Sequence, residues 1–263
     1  MFYDMHTHSH FSTDSNMSML DATKTALDKG ICGIAFTDHL DVEFTNHPNE
    51  FHYDYNEYFE HINAIKETFG NRIDIITATE VGLQPHVIDE TIQRTNGFEF
   101  DFKIGSTHLI NKYDPYEKTL YTLYESKQEC YTEYLREIIN NINLYSDYDA
   151  LGHIDYIVRY APYCDSVMYY QEFSDYIDEI FRFIIKKDIA LEINTGTYKK
   201  VKLDINLIKR YKELGGELIT IGSDSHSLST VGYLFRDYAD IIKSCGYEQL
   251  YYYKNRQPIG YNI

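Results

Sequence analysis

Short apolar runs alternate with helically patterned segments along the whole chain, and no other feature restricts its fold so strongly. The runs fall at residues 2–5 (FYDM), 33–38 (GIAFTD), 73–79 (IDIITAT), 101–106 (DFKIGS), 149–152 (DALG), 189–194 (IALEIN) and 218–223 (LITIGS), with the length and flanks of strands. Between them apolar residues recur at helical spacing. Tyr55, Tyr58, Phe59, Ile62, Ile65 and Phe69 make one face; Leu135, Ile138, Ile142 and Tyr145 a second; Phe173, Tyr176, Ile177, Ile180 and Ile184 a third. Gly30, Gly70, Gly97 and Gly215 stand where helices should stop. Strand and helix alternating seven times predict an α/β chain with a parallel sheet and helices outside. The count fits a (β/α) barrel one unit short of eight, and an open doubly wound sheet is the competing architecture. No linker, repeat or low-complexity segment divides the 263 residues, so residues 1–263 are expected to form a single barrel domain.

The ionisable residues follow the same map. His6 and His8 close the first run, and His39 follows the second in AFTDHLD. Glu80 ends the third in TATEVG, His108 the fourth in IGSTHLI, His153 the fifth in LGHID, and Asp224 with His226 the seventh in IGSDSHS. In a parallel barrel these carboxyl ends open on one face, where active sites are built. Side chains two apart on a strand share a face, so His6 and His8 can approach one ion together, and Asp224 and His226 repeat the spacing. Imidazole with carboxylate suits zinc, manganese or iron, and the absence of cysteine ligands argues against a closed structural zinc site. Eight or more donors exceed one tetrahedral ion, so a cluster is expected, with a carboxylate such as Glu80 bridging. Simpler readings exist: a tag at the amino end, hydrogen-bonded histidines at strand ends, Asp14 as a turn or cap residue, Arg159 paired with Asp155 or Asp165. His10 lies past the strand and is expected to be a bystander.

Composition narrows the function. The formal net charge of −17 repels polyanions, and no basic patch offsets it, so nucleic acid is not an expected partner. No apolar run reaches the length of a membrane span and no leader pattern opens the chain, which predicts a cytoplasmic protein. Cys32, Cys130, Cys164 and Cys245 are widely spaced and expected as buried free thiols.

Taken in order, DMHTHSHFSTD, FTDH, ATEVG, STH, GHID, LEINTGT and GSDSH resemble the motifs of the polymerase and histidinol phosphatase (PHP) superfamily, most closely its histidinol-phosphate phosphatase branch. The resemblance spans nearly the whole chain. It implies a distorted seven-stranded, TIM-like barrel with three divalent metals at the carboxyl ends of the strands. His6, His8, Glu80 and Asp224 would hold the first; Glu80, His108 and His153 the second; Asp14, His39 and His226 the third. Arg159 and Lys199 would match the phosphate-binding cations, with His39 beside the substrate. Lys199 stands where the pattern leads one to expect arginine, and a lysine is a point charge without the two-pronged contact.

The implied reaction is hydrolysis of L-histidinol phosphate, a small phosphate monoester, with water activated by two ions and the phosphate held by Arg159, Lys199 and the third ion. His226 or Asp224 would pass a proton to the leaving alkoxide. Residue chemistry alone reaches only a phosphoester hydrolase. Another PHP-type phosphoesterase, acting on phosphotyrosine or a phosphodiester, is the alternative, and a non-catalytic metal-binding regulator a third reading. The segments 40–56 and 109–130 are long for strand-to-helix loops and, with Tyr53, Tyr55, Tyr113 and Tyr116, are candidates for a substrate-recognising lid.

Overall fold

Seven parallel strands form a near-closed barrel in the computed structural model, which describes every residue except Lys200, with Lys199 described by its backbone alone. In chain order the described strands begin with β1 (Tyr3–Thr7), β2 (Gly33–Phe36), a two-residue β3 (His39–Leu40), β4 (Asp74–Gly82) and β5 (Phe102–Ser106). They continue with β6 (Ala150–Leu151), β7 (Ala190–Asn194) and β8 (Ile219–Gly222). The sheet runs β1-β2-β4-β5-β6-β7-β8, and β3 pairs with β4 off this path, setting His39 opposite Glu80. Every barrel strand is buried along its length, save Asp74 at the start of β4, which is why they read as apolar runs rather than alternating ones. Closure comes just past the strand ends: Asp224 N–H donates to His6 O at 2.8 Å, and His8 N–H to Ser225 O at 2.9 Å.

The seven runs lie where the sequence places them, with two corrections that matter for function. β1 extends to Thr7 and β4 to Gly82, so His6 and Glu80 sit inside strands rather than at their ends. A polar residue normally marks a strand's limit, but here the polar side chains face an enclosed cluster that satisfies them.

Seven described helices connect the strands: α1 (Met19–Asp28), α2 (Tyr55–Phe69), α3 (Ile88–Thr95), α4 (Lys127–Leu144), α5 (Ser174–Lys186), α6 (Ile205–Glu213) and α7 (Phe235–Ser244). Four begin on side-chain caps: Ser18, Asp54, Ser126 and Asp204 accept from Asp21, Asn56, Glu129 and Asn206 N–H, respectively. The chain leaves α2 through Gly70 (φ 55°) and α6 through Gly215 (φ 91°), backbone angles that favour glycine. On α2, Tyr55, Tyr58, Ile62, Ile65 and Phe69 are buried as the spacing predicts, and Phe59 is half-buried.

The sequence reading contains no counterpart to the antiparallel hairpin β9 (Gln249–Lys254) and β10 (Gln257–Asn262). It packs against the amino-terminal end of the barrel. Tyr252 stacks on Tyr3 with ring centroids 3.8 Å apart, Tyr253 hydroxyl donates to Asp149 O at 3.2 Å, and Arg256 Nε donates to Asp149 Oδ2 at 2.6 Å. All four cysteines are free thiols. Cys130 and Cys245 are buried as expected, but Cys32 is half-buried and Cys164 exposed. No described helix is long and apolar enough to cross a membrane.

Candidate metal centre

The carboxyl rim gathers side chains from six barrel strands, or the residues just past them, around one carboxylate. Glu80, buried on β4, has Oε2 3.2 Å from His6 Nε2 and 3.5 Å from His8 Nε2. Its Oε1 lies 3.1 Å from His108 Nε2 and 3.0 Å from His153 Nε2. The carboxylate thus divides between two groups, a bridging geometry. Asp224 Oδ1 completes the first group, 3.1 Å from His8 Nε2 and 3.6 Å from His6 Nε2. At the rim, Asp14 Oδ2 lies 3.1 Å from His226 Nε2 and 3.7 Å from His39 Nε2. His39 also turns Nδ1 to within 3.0 Å of Glu80 Oε2, so it stands between groups rather than in one alone. The His8 ring lies flat between His39 and His226, at 4.2 and 4.1 Å. All nine sequence-derived ligand candidates therefore converge, while His10 is exposed beside Phe11 and His61.

The donor set fits divalent ions. Among the described residues, buried Glu80 Oε2, His39 Nδ1, His153 Nδ1, Asp41 Oδ2 and His226 Nε2 form no hydrogen bond of good geometry, although several of them lie at ion-pair distance from a neighbouring imidazole or carboxylate. Buried polar atoms without partners are rare, and so many in one place fit a bound cation. Three overlapping triads, His6–His8–Glu80, His8–His39–His226 and His39–Glu80–His108, bring ligand atoms within 4.8 Å of one another. The electrostatics agree. Burial pushes the Glu80 carboxyl up, but the imidazoles of His6, His108 and His39 outweigh it and hold the group well below the ordinary carboxylate range. Burial lowers His108, yet Asp41 and Glu80 raise it to about 10. The cluster sets buried carboxylates against buried imidazoles, a concentration of negative charge and nitrogen donors that suits cations.

Several residues that hold these ligands escape sequence reasoning. Glu192 on β7 places Oε1 2.5 Å from His6 Nδ1 and accepts the His153 backbone N–H at 2.7 Å. Asp41 Oδ1 lies 2.9 Å from His108 Nδ1, Ser12 Oγ lies 3.0 Å from His8 Nδ1, and Ser106 Oγ donates to Glu80 Oε1 at 2.6 Å. Such partners fix ring orientation and tautomer. A signal was present for Glu192: a charged residue inside the apolar run IALEIN.

Arg159 pairs with Asp224 at 2.6 Å, not with Asp155 or Asp165, and its Nε and Nη2 donate to Thr197 Oγ1 and Asn194 Oδ1 at 2.9 Å. It lines a cavity of about 370 Å³ with His39, Glu80, His108, Asp224 and His226. The Lys199 side chain lies outside the described part of the structure. Both long loops reach the cavity. Phe44, His47 and Phe51 from one loop, and Asp114, Tyr116 and Glu117 from the other, line the cavity. Tyr53 and Tyr55 do not: their hydroxyls lie 3.2 and 3.3 Å from Thr79 Oγ1, in the helix-to-barrel packing. Tyr113 is exposed.

A seven-stranded parallel barrel with an imidazole–carboxylate cluster on its carboxyl rim defines a class of barrel whose mouth carries residues able to bind metal. The family model of the PHP domain matches residues 4–196, and the chain belongs to that family. A Clostridium acetobutylicum protein named "Probable histidinol-phosphatase" is 36% identical over 259 residues, covering 97% of this chain and 98% of that protein. A Lactococcus lactis histidinol-phosphatase is 33% identical, covering 94% of this chain and 92% of its own. The crystal structure of histidinol phosphate phosphatase from Lactococcus lactis, complexed with zinc, L-histidinol and phosphate, superposes with a TM-score of 0.90 at 31% identity, covering 98% of both chains.

Proposed function

We propose that this chain is a metal-dependent phosphomonoesterase that hydrolyses L-histidinol phosphate to L-histidinol and inorganic phosphate, a step of histidine biosynthesis. The observation that carries the reading is the convergence of nine imidazole and carboxylate side chains in one cluster, seven of which line a cavity that also holds Arg159 while His6 and His8 lie behind Glu80. The likeness to a histidinol phosphate phosphatase structure that contains zinc, histidinol and phosphate supports the substrate and the metal together.

Three divalent ions are assigned to the groups His6, His8, Glu80 and Asp224; Glu80, His108 and His153; and Asp14, His39 and His226. When bound, such ions acidify water and neutralise charge on phosphoryl oxygens. Arg159 orients the phosphate, held in place by Thr197, Asn194 and Asp224, and its described contacts leave Nη1 unused. Lys199 follows β7 as a second cation for the same phosphate, with His39 beside it. Of the two candidate proton donors, Asp224 is closed under Arg159, whereas His226 keeps solvent access at the rim. Proton delivery to the leaving alkoxide is therefore assigned to the His226 side of the pocket.

Steady-state kcat/KM over histidinol phosphate, phosphotyrosine and bis-p-nitrophenyl phosphate tests the reading. Histidinol phosphate is expected to lead by ~100-fold or more. Equal rates on all monoesters would remove the substrate assignment, and preference for the diester would replace it with a phosphodiesterase.

A further inference from the structure

Asp4 opens the stretch DMHTHSHFSTD, yet none of the metal groups uses it. It sits on β1, fully buried, and among the described residues no cationic side chain pairs with it. A buried carboxylate without a cation is costly unless hydrogen bonds satisfy it. Asp4 Oδ1 accepts the Ser223 N–H at 2.9 Å and, more weakly, the His6 N–H at 3.4 Å. Its Oδ2 accepts the Ser223 hydroxyl at 2.6 Å and the Gly232 N–H at 2.8 Å. Both oxygens therefore face backbone N–H groups, which can only donate. One carboxylate brackets the segment 223–232, which carries Asp224 and His226.

Within that segment Asp224 is the residue whose backbone needs holding. Its φ is 51°, in the left-handed region that residues other than glycine enter at a cost. The conformation has a use. While Asp224 N–H donates to His6 O at 2.8 Å, the side chain turns inward, with Oδ1 3.1 Å from His8 Nε2 and 3.6 Å from His6 Nε2. Strain of this kind persists only where the surroundings over-determine it. Ser223, one residue earlier, is gripped through its backbone N–H and its hydroxyl at once, and both of these bonds end on Asp4. The seam has little slack, because a Cβ on Gly222 would overlap that of His6. Any shift of the turn after β8 is thus passed to the distance between the Asp224 carboxylate and the two imidazoles.

We infer that Asp4 is a positioning residue for the first metal group: by gripping Ser223 and Gly232, its carboxylate holds Asp224 in the left-handed conformation that aims it at His6 and His8. The inference rests on the assignment of Asp224 to that group. It calls for a carboxylate rather than any acceptor of the same size. An amide accepts on one side and donates on the other, so in either orientation it would set a donor against the N–H of Ser223 or of Gly232.

The test compares zinc binding by the full chain and its variants D4N, D224N and D4N/D224N, by competition with a chelator of known affinity. Asp4→Asn is expected to weaken one ion about tenfold or more, the same ion that D224N weakens. In the D224N background it should add less than about twofold, since Asp4 acts through Asp224. A merely structural role would lower the thermal midpoint without singling out one ion. Wild-type affinity in D4N, or losses that add in the double variant, would overturn the inference. Should D4N fail to fold, S223A takes its place in the same cycle. It removes only the hydroxyl bond and is expected to weaken that ion about threefold, and no loss there would equally overturn the inference. Crystal structures of the metal-free wild type and D4N separate this inference from the metal assignment. If the wild type binds no zinc, the metal assignment fails. A residue 224 that relaxes to negative φ in D4N would still uphold Asp4 as its anchor, and one that keeps its positive φ would overturn it.

Discussion

At the scale of single residues, the ligands announce themselves and their supports do not. His6, Glu80 and His153 were legible because they fall with the other candidate ligands at the carboxyl ends of the apolar runs, which a parallel barrel brings to one face. Asp41 and Ser12 were not, since their work depends on which ring nitrogen lies next to them in space. Glu192 is the instructive case, for it grips ligands of two groups at once, the His6 ring and the His153 backbone. Glu192→Gln keeps an acceptor but loses the charge-assisted contact, so metal affinity should fall about 10–100-fold, measured by competition with a chelator of known affinity. Unchanged affinity would show that His6 holds its orientation without help. Gly82 supplies a second test. A Cβ there would overlap the Asp41 carboxylate, which orients His108. Gly82→Ala should therefore reduce metal content at the second position, read by elemental analysis, more than it reduces thermal stability.

Among the elements, the barrel strands were readable and the closing hairpin was not. Continuous apolar runs such as ITIG and ALEIN mark strands buried on both faces. The hairpin turn uses Asn255 and Arg256, both at positive φ (50° and 62°), where glycine is the usual signal, and β10 is largely exposed. Neither turn chemistry nor alternation betrays it. Its anchoring rests on Arg256, which bonds buried Asp149 and exposed Asp147. Arg256→Ala should cost about 1–3 kcal/mol by leaving Asp149 short of a partner. Thermal unfolding should then drop by a few degrees with kcat unchanged, because the hairpin lies at the barrel end opposite the site. A loss of kcat at equal fold content would mean that the two ends communicate.

For the whole molecule, composition acquires a structural meaning that no pattern in the sequence carried. Many of the 27 tyrosines are buried in the core beside its aliphatic residues: Tyr58, Tyr121, Tyr131, Tyr211 and Tyr247 bury their rings and donate to backbone carbonyls at 2.6 to 3.1 Å. Such contacts pin loops and helices to strand backbones, using hydroxyls that would otherwise be costly to bury. The candidate centre has a similar reach, because His6 on β1 and Asp224 after β8 belong to one group at the seam where the barrel closes. Divalent ions should therefore stabilise the fold as well as serve chemistry, and removing them with chelator should lower the thermal midpoint reversibly. The most direct measurement is the metal content per chain of zinc-loaded wild-type protein and of Glu80→Gln, by elemental analysis alongside turnover of histidinol phosphate. Three ions in the wild type are expected, with fewer ions and a loss of turnover of ~100-fold or more in the variant. One ion or none in the wild type, or full turnover in a variant lacking the Glu80 carboxylate, would contradict a shared centre built on that residue.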